Sequence, residues 1–555
     1  MNPPPRVLAP LYYRDNFMRV LQAVHHQYYD LLTVPERQLI SQFRALKPRA
    51  QALLVRMVMR RGTDFRRTQL HYHELGEPSH LVRTLVECGW LQANPNLTPT
   101  EFCQQCRLSE LQHWARQQSE LSLPPPLRKA DWPGWLLTFQ PTTKSWHQWW
   151  QKQIPCELFR LQHSAFYDTL KLLFFGSFRP GWDTFVIADL GYQRFPVVAL
   201  AESTRAFQSR LEIDFSCQLQ HCAEALANQH DPLQIIAQLP STHPNLSHWL
   251  WQRRERLYLQ LAEQLERTHQ LEQAGQHYAQ CSAPGARLRW LRWLAKQGKY
   301  ADLAKPLQQA YAAPEDEGEA MALGKLLGRV GRHLSYRPQP KPQPTPPTRQ
   351  QLVLAPSQQR VERAVSAHLH TSMKPVFWSE NSLWNALFGL LFWPALFAPI
   401  PGAFFHPYQA TPADLYRPDF VAKRKPLFDR QLTELAQSDS GQFLLARFDQ
   451  YEGLTNHFVA WSALSREQLS WALMCIPKSH LSLICQRMLL NIKQHRSGFP
   501  DLIQLDLAAK NYQLFEVKGP GDRLQDHQLR WLWFFQQHAI PAQVIDVVWL
   551  NDSST

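Results

Sequence analysis

GFPDLIQLDLAAKNYQLFEVKG, residues 498–519, places an aspartate, a glutamate and a lysine inside two segments that otherwise read as buried strands. DLIQLDL (501–507) and YQLFEVK (512–518) are strand-like, and the AAKN between them suits a hairpin turn. Side chains alternate faces along a strand, so Glu516 and Lys518 share one face while Val517 points into the core. Asp501, at the mouth of the neighbouring strand, can reach that same face. The expectation is two carboxylates and an ammonium clustered at the edge of a sheet. Burying like charges together is unfavourable unless something neutralises them, and a divalent cation does so. Hard oxygen ligands suit Mg²⁺ or Mn²⁺, and the Val517 carbonyl is a further candidate ligand. Lys518 would help a water lose its proton or orient it, the machinery for attack on a phosphodiester. Asp and Lys also occur on exposed strand ends for solubility alone, so the bare spacing D-x14-E-x-K is weak and its surroundings have to decide.

The whole chain sets the frame. At 555 residues it has room for three or four domains, and 44% apolar with 19% charged residues is globular composition. A formal charge of +13 favours a polyanion, nucleic acid or an anionic membrane surface, without choosing between them. Nine cysteines follow no framework spacing, and the lone C-x-x-C of Cys103 and Cys106 lacks the second pair a zinc site needs, so they read as reduced thiols. MNPPPRVLAPLYYRDNF at the N-terminus has neither a signal-peptide nor a transit-peptide pattern. LWNALFGLLFWPALFAPIPGAFF (383–405) is uncharged, but Pro394, Pro399 and Pro401 stop a helix at about residue 393. That leaves about eleven helical residues where a bilayer needs ~20, so a core helix is expected there and no membrane partner.

Along the chain, residues 1–120 read as helices with short strand-like pieces. Arg60, Arg61, Arg66 and Arg67 flank Gly62 and Phe65, which resembles a winged-helix or SAP-like module with a basic edge for DNA phosphates. LTPTEFCQQCRLSELQHWARQQ (97–118) offers Thr98 or Thr100 as a helix cap. Residues 121–336 are dominated by helices, and paired amphipathic helices recur at an offset of about 30, with Leu265 matching Leu294 and Leu271 matching Tyr300. This is similar to a short TPR-like array. GKLLGRVG (324–331) follows no strand and is not expected to bind phosphate. YRPQPKPQPTPPTRQ marks a Pro-rich linker, placed at 337–359, and residues 360–555 follow as a separate unit.

The opening stretch continues as FEVKGPGDRLQDHQLRWL, and together these resemble the PD-(D/E)XK nuclease core in its VRR-NUC branch, which shows G-x-PDL and then EVKGP-x-DRLS-x-x-Q-x-x-W. Gly498, Pro500, Asp501, Glu516, Val517, Lys518, Gly519, Pro520, Asp522, Arg523, Leu524, Gln528 and Trp531 all fall in place across about 34 residues. Gln525 stands where the family usually has Ser, and Asp522 is near enough to cap the following helix instead. SENSLWNALFGLLFW is similar to the helix that opens the catalytic domain of the Fanconi-associated nucleases, and FFGSFRPGWDTFVIADLGYQRF to their middle segment.

The fold class that follows is multidomain and mostly α, with a winged-helix/SAP-like module, a TPR-like array and a C-terminal α/β PD-(D/E)XK (VRR-NUC) nuclease domain. The resemblance implies a structure-specific DNA nuclease that cuts 5′ flaps and trims 5′ to 3′ in repair, interstrand crosslinks included. It implies that Asp501, Glu516 and the Val517 carbonyl bind Mg²⁺ or Mn²⁺ with Glu380 assisting, that Lys518 activates water, and that Arg523 and Gln528 contact the scissile phosphate. Branched or flapped duplex DNA is the expected partner, with no small-molecule cofactor, and with pairing to a second copy on DNA left open. The expected location is the bacterial cytoplasm with the nucleoid, or the nucleus in a eukaryote. Longer family members carry a ubiquitin-binding zinc finger that this sequence lacks, so ubiquitin recruitment is not carried over. Two rivals stand beside this reading, a non-catalytic branched-DNA adaptor and a TPR-type scaffold. The other Pro-Asp, in RPDFVAKRKP (417–426), has no E-x-K at usable spacing and reads as a basic surface loop, and the histidines of HYHELGEPSH read as surface positions.

Overall fold

The structure is a computed structural model that describes residues 9–118, 127–151, 153–178, 182–334, 345–438 and 441–550. Contacts divide the chain into two compact units, 1–192 with 207–213, and 193–206 with 214–555.

The first unit opens with helices whose boundaries are written locally. Thr33 caps Val34–Ala45 in a reciprocal box with Glu36. Lys47 is extended because Pro48 follows it, and Pro48–Val58 starts there. Its strands are β1 Asp64–Arg66, β2 Leu91–Ala93, β3 Asn96–Leu97, β4 Lys144–Ser145 and β5 Leu158–Leu161. Of the two candidate caps, Thr98 is the one used, boxed with Glu101 at the start of Pro99–Gln105. The sheet order is β1-β5-β2, so the central strand comes from residues 158–161. The boundary expected at 120 is therefore crossed by the sheet itself. It is crossed again by the core, where Phe102 and Trp114 pack on Trp146 and Trp149. Cys103 and Cys106 are buried in that aromatic core.

The second unit contains the paired helices His248–Arg267, Leu271–Gln280, Ala286–Lys296 and Tyr300–Ala312, followed by Glu317–Val330. The offset read in the sequence is real: Leu271 and Tyr300 both open helices, and Leu265 and Leu294 are both buried. GKLLGRVG lies almost wholly within the last of these helices.

Five strands follow, β6 Arg349–Leu354, β7 Val376–Trp378, β8 Leu502–Asp506, β9 Asn511–Lys518 and β10 Ala542–Trp549, ordered β6-β10-β9-β8-β7. β8 and β9 form the expected antiparallel hairpin, with Leu502 opposite Phe515 and Asp506 opposite Asn511. β10 runs parallel to both β9 and β6. This corrects the linker, because residues 349–354 are an edge strand of this five-stranded sheet; 335–344 lie outside the described residues. Phe515, Val517, Ile545 and Val547 line one face under the helix Val361–Leu369. Ile503, Leu505, Tyr512 and Leu514 line the other against the Leu383–Leu391 helix, which is buried along its whole length. Among the described residues no helix is long and apolar enough to cross a membrane.

The RPDFVAKRKP segment is not a surface loop. It forms Phe420–Lys423 and the start of Lys425–Gln437, and Arg424 between them is fully buried, donating to both oxygens of the equally buried Asp414 at 2.7 and 2.9 Å. Lys423 and Lys425 pair with Asp419 and Asp429 near the surface, and the fully buried Arg424–Asp414 pair is what turns the segment inward.

Candidate active site

β8 begins only at Leu502, opposite Phe515, so the last residues of β9 extend past it and lack ladder partners on that side. Asp501 fills the gap, its Oδ2 accepting the Val517 N–H at 2.8 Å. The Asp501 carbonyl in turn accepts from the N–H groups of Ser379 at 2.9 Å and Glu380 at 3.3 Å, tying the segment after β7 to the same point. Ser379 is fully buried, and its hydroxyl donates to the Pro500 carbonyl at 3.2 Å. Asp501, Glu516, Val517, Lys518 and Glu380 are thus gathered by backbone bonds around the end of β9.

That strand is the middle of five, which corrects the expected sheet edge. The hairpin alone suggested an edge, but β10 and β6 add on its far side. Glu516, with 1% of its surface exposed, and Lys518, with 9%, therefore look into a layered interior. Lys518 Nζ lies 2.7 Å from Glu516 Oε1 in an ion pair, and no other group bonds either Glu516 oxygen. Burial pushes the Glu516 carboxyl up to about 8; Asp501 and Glu380 add to the push, and Lys518 opposes it. Burial also pushes Asp501 up to about 6 against the Val517 bond, and it raises Glu380, half-buried beside Asn381.

Orphaned carboxylate oxygens in a buried acidic cluster are what a hard divalent cation satisfies, so the donor set fits one. Among the described residues, no three acidic, His or Cys side chains already converge into a metal cage. The Lys518 ammonium holds the counter-charge position beside Glu516 instead. Glu362 was missed in the sequence. Its carboxylate adds to the field on both Asp501 and Glu380, and nothing in its local pattern marks it.

Beyond β9, Asp522 does not cap the next helix. Its Oδ2 accepts the Gly519 N–H at 2.9 Å and closes the turn. Asp526–Gln537 begins instead with Gln528 Oε1 accepting the Gln525 N–H at 2.9 Å, which leaves the Gln528 amide nitrogen as a donor. Arg523 is exposed. The four N-terminal arginines separate by environment. Arg66 is buried on Glu110 at 2.8 and 3.0 Å, and Arg67 pairs with Glu157 and Glu77 at 3.0 and 3.1 Å. Arg60 is exposed, donating to the Gln69 carbonyl at 3.0 Å, and Arg61 is exposed. The histidines His71, His73 and His80 are exposed, as read.

Gly498 sets the approach to Asp501. Its φ is +91°, and a Cβ there would stand 2.6 Å from His527 Cδ2 and 2.9 Å from the His527 carbonyl carbon. Gly498→Ala is expected to lose about 2–5 kcal/mol of stability, from left-handed strain plus the collision. Urea unfolding that moves by less than ~0.5 kcal/mol would show that the loop relaxes freely.

The family models for "FAN1, HTH domain" and "VRR-NUC domain" match residues 11–92 and 437–549. A Fanconi-associated nuclease 1 homolog of Pseudomonas aeruginosa is 37% identical over 99% of this chain and 98% of its own length. The chain belongs to the Fanconi-associated nuclease family. Membership makes it a nuclease, and its N-terminal unit carries the family's helix-turn-helix domain. The Arabidopsis thaliana homolog and the Homo sapiens Fanconi-associated nuclease 1 are each 30% identical over 30% of this chain, covering 19% and 17% of their own lengths. The crystal structure of paFAN1 bound to DNA with a two-nucleotide 5′ flap and a gap superposes with a TM-score of 0.88, covering 99% of this chain and 100% of that one. The complex with a one-nucleotide flap also has a TM-score of 0.88.

Proposed function

We propose that this Fanconi-associated nuclease is a divalent-metal-dependent, structure-specific DNA phosphodiesterase. It cuts 5′ flaps and trims branched DNA 5′ to 3′ in repair, interstrand crosslinks included. The observation that carries the reading is the buried trio Asp501, Glu516 and Lys518 with unsatisfied carboxylate oxygens, in a chain that matches a flap-bound relative end to end. Asp501, Glu516 and the Val517 carbonyl, with Glu380 alongside, would hold Mg²⁺ or Mn²⁺. Such an ion, when bound, polarises the phosphodiester and offsets the charge that builds on it.

The chain's own groups do the rest. Lys518, as an ammonium, orients the attacking water and stabilises the negative charge on it as its proton leaves to solvent. Arg523, whose planar fork matches phosphate oxygens, and the free Gln528 amide position the scissile phosphate. Arg60 and Arg61 supply the exposed cations of the helix-turn-helix edge, whereas Arg66 serves the fold. The test is labelled 5′-flap DNA with Mg²⁺ or Mn²⁺ beside a chelator control. Cutting that needs the metal is expected. Tight binding without cutting would make the protein an adaptor, neither would make it a scaffold, and a preference for single-stranded RNA would overturn the substrate class.

A further inference from the structure

The first turn of the array helix Glu317–Val330 reaches into the nuclease core. Arg487 donates Nη1 and Nη2 to the two Glu317 carboxylate oxygens at 3.0 and 2.6 Å. The Arg487 side chain is 8% exposed, and its Nε is buried with no partner, so Glu317 is the carboxylate that balances it. That guanidinium sits over the Trp531 and Phe534 rings, at 5.1 and 4.5 Å, and Nη2 also donates to the Arg530 carbonyl at 3.3 Å. His495 Nδ1 lies 2.7 Å from the Arg487 carbonyl oxygen.

From Arg487 the packing runs without a gap to the reactive end of the sheet. Trp531 is 1% exposed, its Nε1 donates to the Ser497 carbonyl at 3.1 Å, and its ring lies 4.2 Å from that of Phe499. Phe499 is two residues before Asp501. A second pair ties the same array helix to the start of Asp526–Gln537, Lys325 to Asp526 at 2.7 Å, but both side chains are largely exposed and Arg487 is no part of it.

We propose that Glu317 is a positioning residue of the nuclease centre. By holding Arg487 against Trp531, it keeps the 497–501 segment seated, so that Asp501 presents Oδ2 to Val517 and its carbonyl to Ser379 and Glu380. The array is then a structural part of the active centre. An arginine this buried cannot simply lose its partner: without Glu317 its charge stands unbalanced over two rings, and the cheapest response is to move outward and free Trp531. The idea rests on the proposed function for its consequence in cutting, but its geometry can be examined without it.

The experiment is amide hydrogen exchange on the full chain, free of metal and DNA, at Val517 and Ser379, whose N–H groups both bond Asp501. Glu317→Gln should speed exchange at both by about tenfold, the scale of weakening one charge-assisted pair, and leave DNA affinity unchanged. Lys325→Ala should leave both amides as they are. Single-turnover cutting of flap DNA should fall by about the same factor in Glu317→Gln alone. Unchanged exchange at both amides in folded Glu317→Gln, or an equal effect from Lys325→Ala, overturns the proposal. If Glu317→Gln does not fold, the same criteria apply to Glu317→Asp, which keeps the charge but is too short for both bonds. A wild-type protein that fails to cut flap DNA would refute the proposed function, while exchange would still decide the positioning.

Discussion

Lys518→Ala is expected to reduce metal-dependent cutting of flap DNA by roughly a thousandfold or more, the scale of losing a group that orients the attacking water and stabilises the charge left as its proton departs. Lys518 is also the cation in contact with Glu516, which otherwise has no partner for either oxygen. Removing it leaves a carboxyl already at about 8 to be pushed higher still, so the variant should bind metal more weakly at neutral pH. Two effects are therefore separable. Raising the metal concentration or the pH should recover the second, and the residual loss at saturating metal measures the first. DNA affinity should stay within about threefold, because the Lys518 side chain is only 11% exposed and the exposed cations of the chain remain. A saturating-metal rate within tenfold of wild type would remove Lys518 from the chemistry.

Stripped of divalent ions, the protein should become less stable as pH rises, most visibly between about 6.5 and 8. Asp501 at about 6 and Glu516 at about 8 lie above the ordinary 3.8 and 4.5, so the folded state holds more protons than the unfolded one. Stability is then complete at acid pH and lost as pH climbs through the folded values. His406, which burial lowers to about 4, acts oppositely between there and 6.5, so the upper window isolates Glu516. The expected loss is a little under ~2 kcal/mol across that window, since each pH unit contributes at most ~1.4 kcal/mol for one proton and Glu516 is half ionised by its upper end. Mg²⁺ or Mn²⁺ should flatten the slope by binding the ionised pair, and Glu516→Gln should flatten it without metal. Urea midpoints that hold steady from pH 6.5 to 8 in chelator would contradict the buried-carboxylate account.

Much of the site was legible because its signals are short-range. Alternation along 512–518 put Glu516 and Lys518 on one face, and the hairpin brought Asp501 to it, with every residue within about twenty positions of the others. Thr98 announced its helix in the same way, as did the offset of about 30 in the array. Arg66 shows where that reading ends. Beside Arg67 it looked like part of a basic edge, and only Glu110, 44 positions away, makes it internal. Arg424 repeats the lesson with Asp414.

The residues alone settled which groups could do chemistry, because strand period and a dense motif are carried by neighbours in the chain. Folding settled how buried those groups are. β9 becomes the centre of the sheet only when β10 and β6, the latter from within the stretch expected to be a linker, line up parallel to it. Parallel pairing leaves no turn signature in a sequence, since its partners are joined by long crossings, yet it is what drives Glu516 to 1% exposure and makes its charge costly enough to call for a cation.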